Sequence, residues 1–228
     1  MNIPSTVEEF DKTVSKLERQ CGFAIRSLAF LTDLSDNDLR WDKYRDSYSG
    51  HVLELARISI EQSLMLFCNR VWDHRRDVRS IHMAMRISES IMEELISRQE
   101  TGQPDHDKVL RKNSQLNLAE IKKKVKVLGD SDTRKVLRVI RSENLAHSID
   151  DSKDRQNLYS SRSEYEGHGV TGNDLFHFAE VSLEIINLLV RIRDGSDMLL
   201  RERLNTARNQ TQEFWNCMPI LRNVESFK

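Results

Sequence analysis

Glycine and proline, the residues that most readily end regular structure, are scarce: the chain has eight glycines and three prolines among its 228 residues. Average proteins contain roughly 12% of the two together, more than twice the share found here. A β-sandwich or barrel needs a turn about every ten residues, whereas long helices need few. The aromatic content of 7% agrees, because strands draw heavily on aromatic and β-branched side chains. We therefore predict an all-α fold.

Apolar residues recur at steps of three and four, the spacing of a helix that buries one face. The first stripe follows Ser5-Thr6-Val7-Glu8, which fits a capping box, and fades near Leu31. A second capping box, Thr171-Gly172-Asn173-Asp174, opens a strongly apolar stretch. Helices are predicted at residues 5–31, 51–72, from 81 to a stop at Gly102, 107–128, 133–149, 171–193 and 197–215. They predict an up-and-down helical bundle of about five main helices in one domain, with residues 150–170 as an exposed loop.

Opposite charges nearly cancel, with 35 Lys and Arg against 36 Asp and Glu. That balance excludes a polycation of the histone type and an acidic solvating tail. The positive excess is local, because ten basic residues stand against four acidic ones between Arg111 and His147. This basic sector is where an anionic partner is expected to lie.

Cysteine usage and hydropathy bear on the compartment. Cys21, Cys68 and Cys217 lie far apart and lack the paired spacing of a zinc site. We expect each to pack as a small apolar residue in a reducing compartment. No charge-free apolar run approaches the roughly 18 residues that cross a bilayer, and the polar, acidic N-terminus is unlike a secretory signal. The chain is therefore predicted to be cytoplasmic, with no membrane partner.

Several common sites are missing from the sequence, including a phosphate-binding glycine loop, a dinucleotide fingerprint, His-Glu-x-x-His and a nucleophile elbow. His74 and His82 lie eight residues apart across an expected helix break, so they are not predicted to form a metal site. His177 lies within an apolar helix and is expected to be partly buried. No metal and no cofactor are predicted.

One segment, residues 134–150, carries side chains suited to phosphate chemistry. It contains Arg134, Arg138, Arg141, Ser142, Asn144 and His147. An arginine holds phosphate oxygens bidentately, and an imidazole titrates near neutrality and can act as base or acid. On a straight helix Arg141 and His147 lie about 120° apart with a rise of ~9 Å, so a bent helix end or two copies meeting at a dimer axis would be needed to grip one phosphate. The spacing alone leaves open a helix-end salt-bridge cluster.

The run Arg141-Ser142-Glu143-Asn144-Leu145-Ala146-His147 resembles the signature of the HEPN superfamily, an Arg followed after four to six residues by His, with a polar residue directly after the Arg. Leu145-Ala146-His147-Ser148 is similar to the form found in the abortive-infection-like branch. The Arg70-Val71-Trp72-Asp73 knot and the stretch Thr171 to Leu189 resemble that branch's Arg-x-x-Asp knot and closing helix. The resemblance covers roughly residues 50–193, with helical extensions at both ends.

The resemblance implies a helical homodimer with a composite active site, in many members a metal-independent endoribonuclease. His147 would assist attack of the ribose 2′-OH on the adjacent phosphate, Arg141 would stabilise the transition state, and Ser142 and Asn144 would orient the motif or the phosphate. The product would be a 2′,3′-cyclic phosphate. Such an enzyme would serve as a toxin or phage-defence effector, with RNA as substrate and an antitoxin protein as a possible partner.

Other roles follow for the remaining candidates. Arg134 and Arg138 are expected to bind RNA. Arg70 and Asp73 would support the cleft, or form a simple ion pair three residues apart. Ile149 stands where some family toxins carry a tyrosine that a nucleotidyltransferase partner modifies, so that mode of regulation is not predicted. Two other functions stay open: a non-catalytic HEPN-like module that binds a nucleotide or nucleic acid, and a helical scaffold for protein association.

Overall fold

The computed structural model describes residues 5–35, 44, 47–75, 78–138 and 171–217. These residues form helices and contain no strand, so the all-α prediction is confirmed. Residues 132–138 are also helical. The seven helices with defined ends are α1 (Val7–Ser35), α2 (Tyr48–Val71), α3 (Ile81–Ser90), α4 (Met92–Ser97), α5 (Pro104–Gly129), α6 (Gly172–Asp194) and α7 (Leu200–Cys217).

Helix ends follow local chemistry. The backbone N–H of Glu9 donates to the Thr6 hydroxyl at 3.2 Å, so α1 is capped one residue later than the predicted Ser5. At α6 the prediction is confirmed, because Thr171 and Asp174 form both bonds of the capping box. The helix predicted from Ile81 breaks at Ile91, whose φ is −123°.

The break at Ile91 has a cause in the preceding turn. The hydroxyl of Ser88 donates to the Met85 carbonyl at 2.8 Å, and that of Ser90 donates to the Ile87 carbonyl at 2.9 Å. Such back-bonding competes with the regular helix hydrogen bonds and bends helices. The predicted single helix is therefore two, α3 and α4.

The first of two compact units comprises Met1–Gln20 and Leu66–Met198. Its central element is α6, which packs against α5, α3 and α4. Buried side chains occur on nearly every side of α6, from Leu175 to Ile192, as expected of a helix enclosed by others. At its end, Gly195 adopts the left-handed conformation (φ 68°), and the Gln99 amide donates to the Ile192 carbonyl at 2.7 Å.

The second unit comprises Cys21–Met65 and Leu199–Lys228. Its core is an aromatic cluster in which Phe30 stacks on Trp215 with ring centroids 5.4 Å apart, and Tyr44 lies 6.3 Å from Trp215. The polar helix α7 reaches this core through Ala207, Thr211 and Trp215, which are its buried residues and recur every four positions. The single-domain prediction stays a prediction.

Part of α2 is less buried than its apolar sequence indicates. Tyr48, Val52 and Leu55 are 64%, 51% and 64% exposed. They follow one another at steps of four and three, so they form one apolar stripe on a single helix face. We call these three residues the α2 stripe. An exposed apolar patch of this kind marks an interaction surface more often than chance.

The cysteine prediction is confirmed at two of three positions. Cys21 and Cys68 are buried, whereas Cys217 is exposed at the end of α7. Burial raises the pKa of the Cys68 thiol to about 12, so this thiol stays protonated. Across the helices of the described ranges, none is long and apolar enough to cross a membrane.

Candidate functional site

The four residues to which sequence reasoning gives the chemistry, Arg141, Ser142, Asn144 and His147, lie outside the described residues. The predicted loop 150–170 also lies outside them. Before the motif, the described residues extend to Arg138, the last residue of the helical segment 132–138. Hydrogen bonds of a serine side chain mark the start of this segment. The Ser131 hydroxyl accepts from the Arg134 backbone N–H at 3.2 Å and donates to the Leu128 carbonyl at 2.7 Å, so it caps the segment between the helices predicted to end at 128 and to begin at 133.

Arg134 is buried, with 3% of its surface exposed. Its guanidinium donates to the Trp72 carbonyl at 2.6 Å and lies 5.9 Å from the centroid of the Trp72 ring. A buried cation needs such hydrogen bonds to offset the loss of hydration. Arg134 thus links the segment before the motif to the end of α2, and its predicted role in RNA binding stays a prediction.

Arg138 is exposed. Its positive charge reaches the neighbouring His74, whose pKa it helps to lower. The two arginines expected to bind RNA therefore differ: Arg134 holds the segment in place, and Arg138 offers its guanidinium at the surface.

The Arg70–Asp73 knot, at the end of α2, contains a buried carboxylate. Asp73 is 5% exposed, and its two oxygens accept from the Arg75 guanidinium at 3.1 to 3.3 Å. Arg70 is exposed, and its carbonyl accepts from the Asp73 backbone N–H at 3.4 Å. Asp73 forms an ion pair with Arg75. The supporting roles of Arg70 and Asp73 stay predictions.

Trp72 anchors the knot to the central helix. Its ring is fully buried, and its indole N–H donates to the Ser182 hydroxyl at 2.8 Å. That hydroxyl in turn donates to the Phe178 carbonyl at 2.7 Å. The same tryptophan thus receives Arg134 at its carbonyl and binds α6 through its side chain. Sequence reasoning did not identify this anchor, because Trp72 and Ser182 are 110 residues apart.

Two histidines come together beside the knot. The rings of His74 and His82 stack with centroids 4.0 Å apart and an interplanar angle of 28°. Trp72 packs edge-on against His82 at 5.3 Å and 79°. The sequence placed these histidines on opposite sides of a helix break. The break thus brings them into contact instead of separating them.

Both imidazoles are held in the neutral form. Burial, followed by the charges of Arg134 and Arg138, lowers the pKa of His74 below its ordinary 6.5, against the opposing charge of Asp73. Burial, followed by His74 and Arg134, lowers the pKa of His82 to about 4. A stacked pair with neutral rings avoids the repulsion of two like charges.

Ion pairs offset part of the positive charge of the basic sector. Arg111 pairs with Glu93 and Glu100, and Lys122 pairs with Glu89 at 3.0 Å. Lys124 pairs with Glu184 at 2.8 Å, and Lys135 pairs with Asp132 at 2.6 Å. Most of these acids lie outside the sector in sequence, so counting charges along the chain overstated its excess.

A shallow groove of about 290 Å³ lies between α5 and α6. Lys123, Val127 and His177 are among its lining residues. His177 is exposed, so the expectation that it is partly buried was wrong. The sequence of α6 is apolar around most of its circumference, and this left no indication of which side faces solvent.

Within the described ranges, no three His, Cys, Asp or Glu side chains converge in a way that could hold a metal ion.

Comparison with known families gives a match that covers most of the chain. The family model HEPN_AbiU2, described as AbiU2, matches residues 7–214. No curated protein and no solved structure matches the chain significantly.

Proposed function

The chain belongs to the AbiU2 family of HEPN proteins, and on this premise we propose that it is a metal-independent endoribonuclease that acts as a toxin or phage-defence effector. The observation that carries the proposal is the exposed Arg138, which lies in the basic sector three residues before the Arg141–His147 motif. A phosphate backbone is the ligand that such a cation attracts.

The chemistry follows from the two motif side chains. In its neutral form His147 would accept the proton of a ribose 2′-OH, which then attacks the adjacent phosphorus. Arg141 would stabilise the charge that builds on the phosphate oxygens. The bond to the 5′ oxygen of the next nucleotide breaks and this oxygen takes up a proton from water, leaving a 2′,3′-cyclic phosphate and a 5′-hydroxyl. Ser142 and Asn144 would orient the phosphate.

Covalent geometry keeps Arg138 close to the proposed catalytic arginine. Arg138 and Arg141 are three positions apart, and three steps of even fully extended chain span no more than about 11 Å. One RNA backbone can therefore contact both side chains, since successive phosphates lie several ångströms apart. Arg134, which bonds to the Trp72 carbonyl, supports the start of this segment.

We further propose that the active form is a homodimer with a composite site. The α2 stripe supports this, because three apolar side chains at least half exposed on one helix face are costly to leave in water. Leu55→Glu should convert the dimer to a monomer of 26.7 kDa in light scattering and abolish cleavage. Val109→Glu, at an exposed position of α5, is the matched control and should leave the mass unchanged. A wild-type chain that is strictly monomeric while it cleaves RNA would contradict the composite site.

The central test is cleavage of an end-labelled RNA in the presence of EDTA. Wild type should produce fragments that end in a 2′,3′-cyclic phosphate, and His147→Ala and Arg141→Ala should lose at least 100-fold in rate, about 2.7 kcal/mol. His106→Ala removes an exposed histidine of α5 and serves as the control. No cleavage by wild type under any condition would refute the ribonuclease and leave the non-catalytic module. Loss of cleavage on EDTA addition alone would refute the metal-free mechanism.

A second experiment tests the biological role. Expression of the wild-type chain should arrest growth, and Arg141→Ala should not. Equal growth of both strains, with both chains present at the same level, would argue against a toxin. The antitoxin partner stays a prediction.

A further inference from the structure

The stacked histidines beside the knot have no role in the chemistry described so far. We propose that His74, together with Arg138, forms a binding subsite for a backbone phosphate of RNA. This inference deepens the proposed function and rests on it for the source of the phosphate.

The first support is the way the ring is held. His74 is exposed, yet its ring is fixed by stacking on His82 at 4.0 Å, and Trp72 packs edge-on against His82. No hydrogen bond to the His74 ring forms among the residues that the structure describes. A ring held by stacking keeps both edge nitrogens available for an outside partner.

The second support is the charge around the ring. The Arg134 guanidinium bonds to the Trp72 carbonyl, two residues before His74, and Arg138 lies one helical turn beyond Arg134 on the 132–138 segment. Both positive charges act on His74. Asp73 opposes them, but both of its oxygens already accept hydrogen bonds from Arg75. The position thus combines an imidazole with a positive field, and a phosphate oxygen accepts hydrogen bonds from imidazole N–H and guanidinium groups.

The third support is the neighbouring ring. Nε2 of His82 is buried and forms no hydrogen bond within the described part of the chain, and the pKa of His82 falls to about 4. His82 therefore stays neutral when an anion favours protonation of His74. The stack can then accept one positive charge without a second one 4.0 Å away.

The competing explanation is that the two rings only pack. His74→Phe separates the two, because phenylalanine keeps an aromatic ring for stacking and removes both nitrogens. The matched control for Arg138→Ala is Arg86→Ala, and the control for loss of histidine nitrogens elsewhere is His106→Phe; both positions are exposed and lie in the same unit. Circular dichroism melting of each variant reports whether the fold is kept.

The first measurement is an NMR titration of the wild-type histidine rings with inorganic phosphate, which needs neither a variant nor activity. Phosphate should shift the His74 signals and raise its titration midpoint, and His106 should not respond. The second is fluorescence anisotropy with a 2′-O-methyl oligoribonucleotide, which lacks the attacking hydroxyl. His74→Phe and Arg138→Ala should each weaken binding by about fivefold or more, while the two controls stay within about twofold.

In the NMR titration, the subsite would be overturned if the His74 signal did not move or if His106 responded equally. In the anisotropy assay, it would be overturned if His74→Phe bound the oligoribonucleotide like wild type. Either result would count even in a chain that cleaves RNA. Conversely, phosphate binding at His74 by a chain that cleaves no RNA would uphold the subsite and reject the ribonuclease. The binding and cleavage assays thus separate the two proposals.

Discussion

The hydrogen bond between Trp72 and Ser182 should be one of the most costly single contacts to remove in the first unit. Both side chains are fully buried, and the indole N–H donates to the hydroxyl at 2.8 Å. Ser182→Ala leaves that N–H without an acceptor, which costs about 1–3 kcal/mol. The higher helix propensity of alanine returns roughly 0.5 kcal/mol. We therefore expect a net loss of about 1.5 kcal/mol in the free energy of unfolding.

The assay is equilibrium unfolding in urea followed by circular dichroism. With a slope of about 2.5 kcal/mol per molar for a chain of this size, the midpoint should fall by about 0.6 M. Ser88→Ala is the matched control, because Ser88 is also buried on a helix and its hydroxyl donates to a backbone carbonyl. No side-chain donor of the described residues bonds to the Ser88 hydroxyl, so its midpoint should move by less than about 0.2 M.

A double-mutant cycle isolates the bond itself. Trp72→Phe removes the donor, so Ser182→Ala should cost about 1 kcal/mol less in that background than in wild type. Equal costs in the two backgrounds, or equal midpoints for Ser182→Ala and Ser88→Ala, would refute the reasoning, because the loss would then come from packing or helix propensity.

Three further predictions concern other positions. Gly195→Ala should lower the free energy of unfolding by about 1–2 kcal/mol in a thermal melt, because φ is 68° there and the new Cβ would lie 2.8 Å from Oε1 of Gln99; an unchanged melting temperature would contradict this. Asp174→Asn should lower the free energy of unfolding at pH 7, and this cost should shrink below pH 3.8. The capping bonds lower the pKa of the Asp174 carboxyl, so its stabilisation is present above the ordinary pKa and is lost as the pH falls through the lowered pKa. A cost that is independent of pH would count against the capping role. Cys217 should react rapidly with a thiol reagent in the native protein and buried Cys68 should not, so rapid labelling that survives Cys217→Ser would be inconsistent with the fold.

Sequence patterns predicted the elements that depend on local chemistry. The capping box at Thr171 and the full length of α6 were predicted because a helix start and an apolar periodicity are properties of neighbouring residues. The break at Ile91 was missed although its cause is also local, in the hydroxyls of Ser88 and Ser90. The hydrogen bonds from the two serine hydroxyls to preceding carbonyls interrupt the helix although its apolar stripe continues. The periodicity alone did not indicate this interruption.

Contacts between distant residues set the limit of sequence reasoning at the candidate site. The stacking of His74 on His82 depends on the direction in which the chain turns after Asp73. The burial of Arg134 depends on the Trp72 carbonyl, 62 residues away. Neither is encoded in spacing along one helix. The roles of Arg141 and His147 stay predictions, since they rest on the motif and on the family.

The central position of α6 also determines when this protein can assemble as it is made. The helix begins at Gly172, yet α3, α4 and α5, all synthesised earlier, pack against it. At ribosomal rates of about 5–20 residues per second, those helices wait several seconds or longer with their inner faces uncovered. A nascent chain that stops before Gly172 lacks the acceptor of the Trp72 indole and the central helix of the first unit. For a protein proposed to be harmful to its own cell, assembly of this unit is thereby confined to chains translated beyond α6.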